Sequence, residues 1–123
     1  MNNGIQLYRL KYRLPINHSM DGSKDKMHHH VIEIEITFRS KIRVEGIGWV
    51  GDAEKCVDEI LGEYRNKFIN DIREFEGDST IENMGEVFFK IINREFTKRR
   101  WLITRFEISE TPLRVYAIVL GQQ

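Results

Sequence analysis

The sequence predicts one α+β domain in which two helices cover one face of a four-stranded antiparallel sheet. Two observations point to this class. Alternating apolar and polar side chains, the period of a strand, occur near both ends of the chain, and two segments between them repeat apolar residues at helical spacing. The length of 123 residues suits one hydrophobic core, and the sequence contains no internal repeat, low-complexity tract or linker. Residues 1–123 are therefore assigned to a single domain.

The first two strands are predicted from the clearest alternation in the chain. Residues 5–16 alternate apolar with basic side chains, and residues 28–39 alternate isoleucine with glutamate. Residues 19–26 between them are polar and contain a glycine, which is typical of a loop. Weaker alternation in residues 41–44 favours a short extension of the second strand.

The middle of the chain predicts two helices. Asp52 follows three glycines and is the predicted N-cap of the first helix, whereas the capping-box pattern of Ser79 and Glu82 predicts the start of the second. Two more strands, residues 101–109 and 113–120, complete the order ββααββ. Each helix carries one apolar stripe, formed by Ala53, Cys56, Val57, Ile60, Leu61, Tyr64 and Phe68 in the first and by Met84, Val87, Phe88, Ile91, Ile92 and Phe96 in the second.

Composition argues against several classes of function. Lysine plus arginine equal aspartate plus glutamate at 19 each, so the chain lacks the basic excess of a general nucleic-acid binder. The basic run at residues 98–100 is typical of a solvated turn after a helix. No apolar run is long enough to span a bilayer, and the N-terminus does not resemble a signal peptide. Cys56 alone cannot form an internal disulfide, so we predict a cytoplasmic protein without nucleic-acid or membrane partners.

The candidate site is a group of three histidines. Alternation puts His28 and His30 on one face of the second strand and His29 on the other, while His18 continues the apolar face of the first strand. If the two strands form a hairpin, the side chains of His18, His28 and His30 meet at its end. Three imidazoles without a fourth protein ligand are typical of a catalytic zinc ion, which keeps one position open for water or substrate.

Two other interpretations of these histidines are open. The run of three is compatible with a fragment of an engineered tag, although a tag is usually terminal and this run begins an apolar strand. The histidines are also compatible with surface residues at a strand end that bind no metal, because two histidines separated by one residue are common.

Further motifs resemble the family of 6-pyruvoyl-tetrahydropterin synthase and 6-carboxy-tetrahydropterin synthase, which has the tunnelling fold. The similarity covers most of the chain and rests on five motifs in matching order. The family has a first-strand histidine, a His-Gly-His signature, a Gly-x-Val-x-Asp segment, a Pro-Thr-x-Glu-Asn signature and a Glu-Thr pair. The corresponding positions in this chain are His18, residues 28–30, residues 48–52, residues 79–83, and Glu110 with Thr111.

The resemblance implies a set of site residues. The three histidines would hold zinc, and Glu110 would anchor the 2-amino-4-oxo edge of a pterin ring, since a carboxylate accepts two parallel hydrogen bonds. Glu110 is also compatible with an ordinary turn residue before Pro112. Thr80 and Glu82 would bind substrate from the start of the second helix, although helix capping alone explains both. The resemblance further implies a homo-oligomer, a trimer or a hexamer, that binds a pterin or purine-like molecule.

The chain departs from the family at its catalytic positions. Lys24 occupies the position of the family's cysteine, and residues 65–66 are Arg-Asn where the family has an Asp-His pair. Asp25 is a candidate replacement, because a carboxylate near zinc can transfer protons. Two functions therefore stay open: a zinc-dependent carbon–oxygen lyase acting on a dihydroneopterin triphosphate-like pterin, and a non-catalytic relative that binds zinc and a pterin or purine-like ring.

Overall fold

A computed structural model describes residues 4–121 of the chain. Its strands and helices follow one another in the predicted order, and the α+β class is confirmed. The elements are β1 (Tyr8–His18), β2 (His28–Ser40), α1 (Gly48–Gly62), α2 (Ile81–Lys98), β3 (Trp101–Thr111) and β4 (Arg114–Val119). Short 3₁₀ turns lie between them at Lys24–Lys26, Ile69–Asp71 and Arg73–Phe75.

The four strands form one antiparallel sheet in which sequence neighbours are also spatial neighbours, in the order β1-β2-β3-β4. In the first hairpin, Leu14 lies opposite Ile32 and His18 lies opposite His28. Because side chains alternate with a period of two, this register puts the isoleucines of β2 and the apolar side chains of β1 on one face of the sheet.

That shared face is buried beneath α1 and α2 and forms the core. Burying one large apolar side chain contributes about 1.5–3 kcal/mol, so this layer is the main source of stability in the fold. Both helical stripes contribute to it. The side chains with no solvent exposure include Leu14, Ile16, Ile32, Ile36, Phe38, Val57, Leu61, Phe88, Ile92, Phe96, Phe106 and Ile108.

The second helix comes very close to the sheet at Gly85. A Cβ atom on this glycine would lie 2.9 Å from Cγ2 of Ile108 on β3 and 3.0 Å from the ring of Tyr116 on β4. Glycine in a helix costs about 1 kcal/mol relative to alanine, and the close approach explains why it occurs here. At the same crossing, the Tyr116 hydroxyl donates a hydrogen bond of 2.6 Å to Glu86.

Two predicted helix starts are wrong by a few residues. The first helix begins at Gly48, so Asp52 lies inside α1 and is not its N-cap. The second helix is capped by Thr80, whose Oγ1 accepts a hydrogen bond of 3.2 Å from the Asn83 N–H, and not by Ser79. The hydroxyl of Ser79 is instead buried and bonded elsewhere in the chain, which the local pattern cannot reveal.

The predicted extension of β2 through residues 41–44 is also wrong. The Ser40 hydroxyl donates to the Ile42 carbonyl at 2.7 Å and accepts from the Ile42 N–H at 3.2 Å. This side-chain bonding turns the backbone away from the sheet directly after β2.

The face of the sheet opposite the helices carries charged side chains. Arg9 lies 2.7 Å from Glu35, and Arg13 lies 3.6 Å from Glu33 across the first hairpin. Exposed pairs of this kind contribute about 0–1 kcal/mol each, so they set the surface chemistry more than the stability. In residues 4–121, neither helix has the length and hydropathy needed to cross a membrane.

Candidate metal centre

The three predicted histidines meet at the open end of the first hairpin. The register puts His18 opposite His28 and Ile16 opposite His30, so the rings of His18, His28 and His30 share one face. Their ring centroids are 4.5–5.0 Å apart. One nitrogen of each ring lies within 4.8 Å of the corresponding nitrogens of the other two. Their role as metal ligands stays a prediction, and the geometry that it requires is present.

His29 lies outside this cluster, as the alternation predicted. Its side chain is exposed, and its Nδ1 is 3.0 Å from Oδ1 of Asn17 on the neighbouring strand. The run of three histidines is thus an integral part of the paired strand, with successive rings directed to opposite faces.

The environment of His18 fixes which of its nitrogens can bind a metal. The side chain is 3% exposed, and Nδ1 lies 3.2 Å from the main-chain oxygen of Ser79. A carbonyl oxygen only accepts hydrogen bonds, so Nδ1 carries the proton and Nε2 presents its lone pair. Nε2 is buried and has no hydrogen-bond partner among residues 4–121.

Burial also disfavours the charged form of this imidazole. Desolvation lowers the pKa of His18, while the hydrogen bond to Ser79 and the charge of Glu110 act in the opposite direction. A neutral ring with a buried, unpaired nitrogen costs about 1–3 kcal/mol in unmade hydrogen bonding. A metal ion would satisfy that nitrogen, and a set of three imidazole donors suits zinc.

A cleft of about 410 Å³ opens beside His18, between the start of α2 and the hairpin of β3 and β4. Oε1 of Glu110 lies 3.5 Å from Nε2 of His18, and the Glu110 side chain is 27% exposed. Thr80 and Glu82 line the opposite wall from the first turn of α2. The structure therefore brings three of the predicted substrate-binding residues together with one predicted metal ligand.

Sequence reasoning missed several residues of this cleft. Arg114 and Tyr116 line it from β4, and Ser79 supplies the carbonyl that orients His18. The only sequence signal for the first two is their position shortly after Glu110 in the hairpin. The contribution of Ser79 comes from its main chain, so no side-chain motif could have indicated it.

Asp25, the predicted proton-transferring residue, lies on the exposed 3₁₀ turn before β2. It is not among the side chains that line the cleft. Its neighbour Lys24, in the position of the family's cysteine, forms an ion pair of 3.3 Å with Asp71.

Arg65, in the position of the family's aspartate, is likewise engaged away from the cleft. Its Nη2 donates a hydrogen bond of 2.6 Å to the Tyr12 hydroxyl, which in turn donates to Asp58 at 2.7 Å. The Arg65 guanidinium also lies over the Tyr12 ring, 5.7 Å from its centroid. Neither Lys24 nor Arg65 replaces a general base, because an ammonium or guanidinium group donates hydrogen bonds and accepts none.

The fold, the histidine cluster and the cleft agree with a comparison against known families. The family model described as 6-pyruvoyl tetrahydropterin synthase matches residues 8–119, so the chain belongs to the 6-pyruvoyl tetrahydropterin synthase family. No curated protein sequence matches the chain.

Solved structures support the same fold. The chain is similar to the 6-pyruvoyl tetrahydropterin synthase of Caenorhabditis elegans, with a TM-score of 0.72, 14% identity, and coverage of 94% of this chain and 96% of that one. An uncharacterized protein of Wolinella succinogenes gives a TM-score of 0.60 at 10% identity, covering 95% of this chain and 100% of that one. The 6-pyruvoyl tetrahydropterin synthase of Plasmodium vivax gives 0.51 at 13% identity, covering 93% and 98%.

Proposed function

We propose that this chain is a zinc-dependent pterin-processing protein that resembles 6-pyruvoyl- and 6-carboxy-tetrahydropterin synthase. In this proposal His18, His28 and His30 hold the zinc ion, and the substrate is similar to dihydroneopterin triphosphate. The observation that carries the proposal is the buried Nε2 of His18, which has no hydrogen-bond partner among residues 4–121 and lies 3.5 Å from Glu110 in the same cleft. A bound zinc ion would supply Lewis acidity toward a hydroxyl or carbonyl oxygen of the substrate.

The cleft residues have the chemistry to hold a pterin ring beside the histidines. The Glu110 carboxylate can accept two parallel hydrogen bonds from the 2-amino-4-oxo edge. Oγ1 of Thr80 already accepts the capping hydrogen bond from Asn83, so its hydroxyl proton is available to a ligand. The carboxylate of Glu82, on the first turn of α2, adds a further acceptor on the same wall.

A lyase reaction also needs a group that moves protons. The candidate for this role is Asp25, whose carboxylate belongs to the turn that precedes β2. In the present structure the Asp25 side chain is exposed, so the role requires the turn at Lys24–Lys26 to close over the bound substrate.

The second candidate is a non-catalytic relative that binds zinc and a pterin or purine-like ring. The ion pair of Lys24 with Asp71 and the contacts of Arg65 with Tyr12 favour it, because these cations replace the family's proton-transferring groups. Turnover of dihydroneopterin triphosphate by the zinc-loaded protein distinguishes the two candidates. Product formation supports the enzyme, whereas binding that depends on Glu110 without any product supports the binding protein.

We also propose a cytoplasmic homo-oligomer, a trimer or a hexamer. The strands β1 and β4 are the two edges of the sheet. The outer edge of β1 is already bonded to residues 66–68 at Pro15 and Asn17, and the rest of that edge and the outer edge of β4 can pair with another copy. Val115 and Val119 on β4 and Val31 on β2 are exposed apolar side chains that such an assembly can cover. Light scattering at micromolar concentration tests the proposal, and a monomer would contradict it.

A further inference from the structure

We infer that Asn70 is a positioning residue for His18, which it holds in the orientation that presents Nε2 to the metal. Asn70 does not touch the cluster. It acts through a chain of hydrogen bonds that passes through Ser19 and Ser79. The metal part of this inference rests on the proposed function, whereas the orientation of the His18 ring does not.

The amide group of Asn70 forms hydrogen bonds with both main-chain polar groups of Ser19, the residue directly after His18. Oδ1 accepts a hydrogen bond of 2.9 Å from the Ser19 N–H, and Nδ2 donates one of 2.9 Å to the Ser19 carbonyl. Nδ2 also donates a longer one of 3.4 Å to the carbonyl of Gly77. One side chain thus joins the end of β1 to the loop that precedes α2.

Ser79 completes the connection back to the imidazole. Its hydroxyl donates a hydrogen bond of 3.2 Å to the Ser19 carbonyl, which also accepts the hydrogen bond from Asn70. Its own carbonyl accepts from Nδ1 of His18 at 3.2 Å. Because His18, Ser19 and Ser79 are all buried, the bonds that hold them are not exchanged for bonds to water.

Loss of the Asn70 hydrogen bonds would change how the His18 ring is held. His18 and Ser19 end a strand and Ser79 lies in a loop, so without Asn70 the bond of 3.2 Å from the Ser79 hydroxyl to Ser19 has to hold these segments together without its support. The His18 ring would then lose the carbonyl that fixes its tautomer and orientation. Groups that accept the second ring N–H of a metal-binding histidine, as the Ser79 carbonyl does here, typically contribute 10–100-fold to metal affinity, and Asn70 acts by keeping that carbonyl in place.

The test compares Asn70→Ala with Asn83→Ala. Asn83 is a matched control, because it is also half-buried and donates to two carbonyls of the same loop, those of Phe75 and Asp78, at 2.9 and 2.8 Å. It makes no hydrogen bond to Ser19 or His18. Zinc affinity is measured by competition with a chromophoric chelator, and the melting temperature is measured on the metal-free proteins.

We expect both variants to lower the melting temperature and only Asn70→Ala to weaken zinc binding, by about 10–100-fold. Unchanged zinc affinity in Asn70→Ala, or an equal loss in Asn83→Ala, would overturn the inference. If Asn70→Ala does not fold, Ser79→Ala removes the hydroxyl link and keeps the carbonyl. It should then weaken zinc binding in the same direction, and an unchanged affinity would again overturn the inference.

A second readout does not depend on zinc. Nitrogen-15 NMR of the metal-free protein at pH 8 reports which ring nitrogen of His18 carries the proton. We expect the wild type and Asn83→Ala to have one tautomer, protonated at Nδ1, and Asn70→Ala to have a mixture. A single Nδ1 tautomer in Asn70→Ala would contradict the inference. Failure of the wild type to bind zinc would refute the proposed function and leave this readout valid.

Discussion

Two regions that flank the same sheet differ in how their polar groups are held. Around His18, the main-chain groups of Ser19 and Ser79 are bonded to defined partners, whereas Nε2 of His18 and Oγ of Ser19 are buried without a hydrogen-bond partner among residues 4–121. At the positions of the family's cysteine and Asp-His pair, the polar groups are the exposed cations Lys24 and Arg65 in surface pairs.

The difference follows from the cost of changing a polar group in each environment. A buried polar atom that loses its partner costs about 1–3 kcal/mol. A substitution in the buried corner, which is formed by His18, Ser19 and Ser79, therefore destabilises the fold. An exposed pair contributes about 0–1 kcal/mol, so the other region tolerates exchange of its side chains. A substitution in the buried corner therefore affects the stability of the fold as well as the proposed metal centre, whereas a substitution in the exposed region leaves the stability nearly unchanged.

The largest expected effect distinguishes His28 and His30, which face His18, from His29, which does not. We expect the purified protein to carry about one zinc per chain, and His28→Ala and His30→Ala to abolish its retention. His29→Ala is the matched control, because its ring lies outside the cluster. Elemental analysis after dialysis measures the zinc content of the wild type and of each variant. Equal loss of zinc from His29→Ala would show that the alternation argument is wrong.

The next effect concerns the exposed region and the reaction. Two groups that typically contribute 10²–10⁴-fold each are replaced by Lys24 and by residues 65–66. We therefore expect the family's full elimination reaction to be absent or very slow with dihydroneopterin triphosphate. Rapid turnover by the wild type would contradict this, and its loss in Asp25→Asn would identify Asp25 as the missing base.

A smaller effect tests the ligand side of the cleft. We expect Glu110→Gln to weaken pterin binding by about 1–3 kcal/mol, because the amide replaces one of two acceptors with a donor. Glu107→Gln is the control on the same strand, since Glu107 pairs with Arg105 on the other face of the sheet. Pterin fluorescence measures both affinities. A loss as large in Glu107→Gln would indicate a general effect on the fold.

The smallest effect is on stability. The folded state lowers the pKa of His18 through burial, so below about pH 6.5 the unfolded chain binds more protons than the folded one. We expect the free energy of unfolding of the metal-free protein to fall as the pH drops from about 6.5 toward the lower folded-state pKa.

Urea denaturation at a series of pH values measures this dependence. His18→Gln should flatten it, whereas His29→Gln, which changes an exposed ring, should leave it in place. A slope that survives unchanged in His18→Gln would assign the pH dependence to another group.

Much of the fold was predictable because it follows from local periodicity. The alternation of β2 gave both its buried isoleucines and the shared face of His28 and His30. The start of α2 was not predictable to the residue, because the hydroxyl of Ser79 bonds to Ser19, which is distant in sequence. The same applies to Asn70, whose partners lie 51 and 7 residues away along the chain.

The candidate site, like the fold, was predictable only in part from the sequence. Histidines two residues apart and a carboxylate before a hairpin turn are visible in the sequence. The unpaired state of Nε2 in His18 and the engagement of Arg65 by Tyr12 depend on tertiary packing, and they were found only in the structure.

The close packing at Gly85 has a consequence for the width of the cleft. Thr80 caps α2 and Glu82 lies in its first turn, about one turn before Gly85, and Glu110 and Tyr116 lie on the hairpin that Gly85 contacts. A single hydrogen atom in place of a methyl group thus sets the separation of the two walls. A side chain at this position would force Ile108, Tyr116 or the helix itself to move, and an outward movement of the helix would widen the cleft between Thr80 and Glu110.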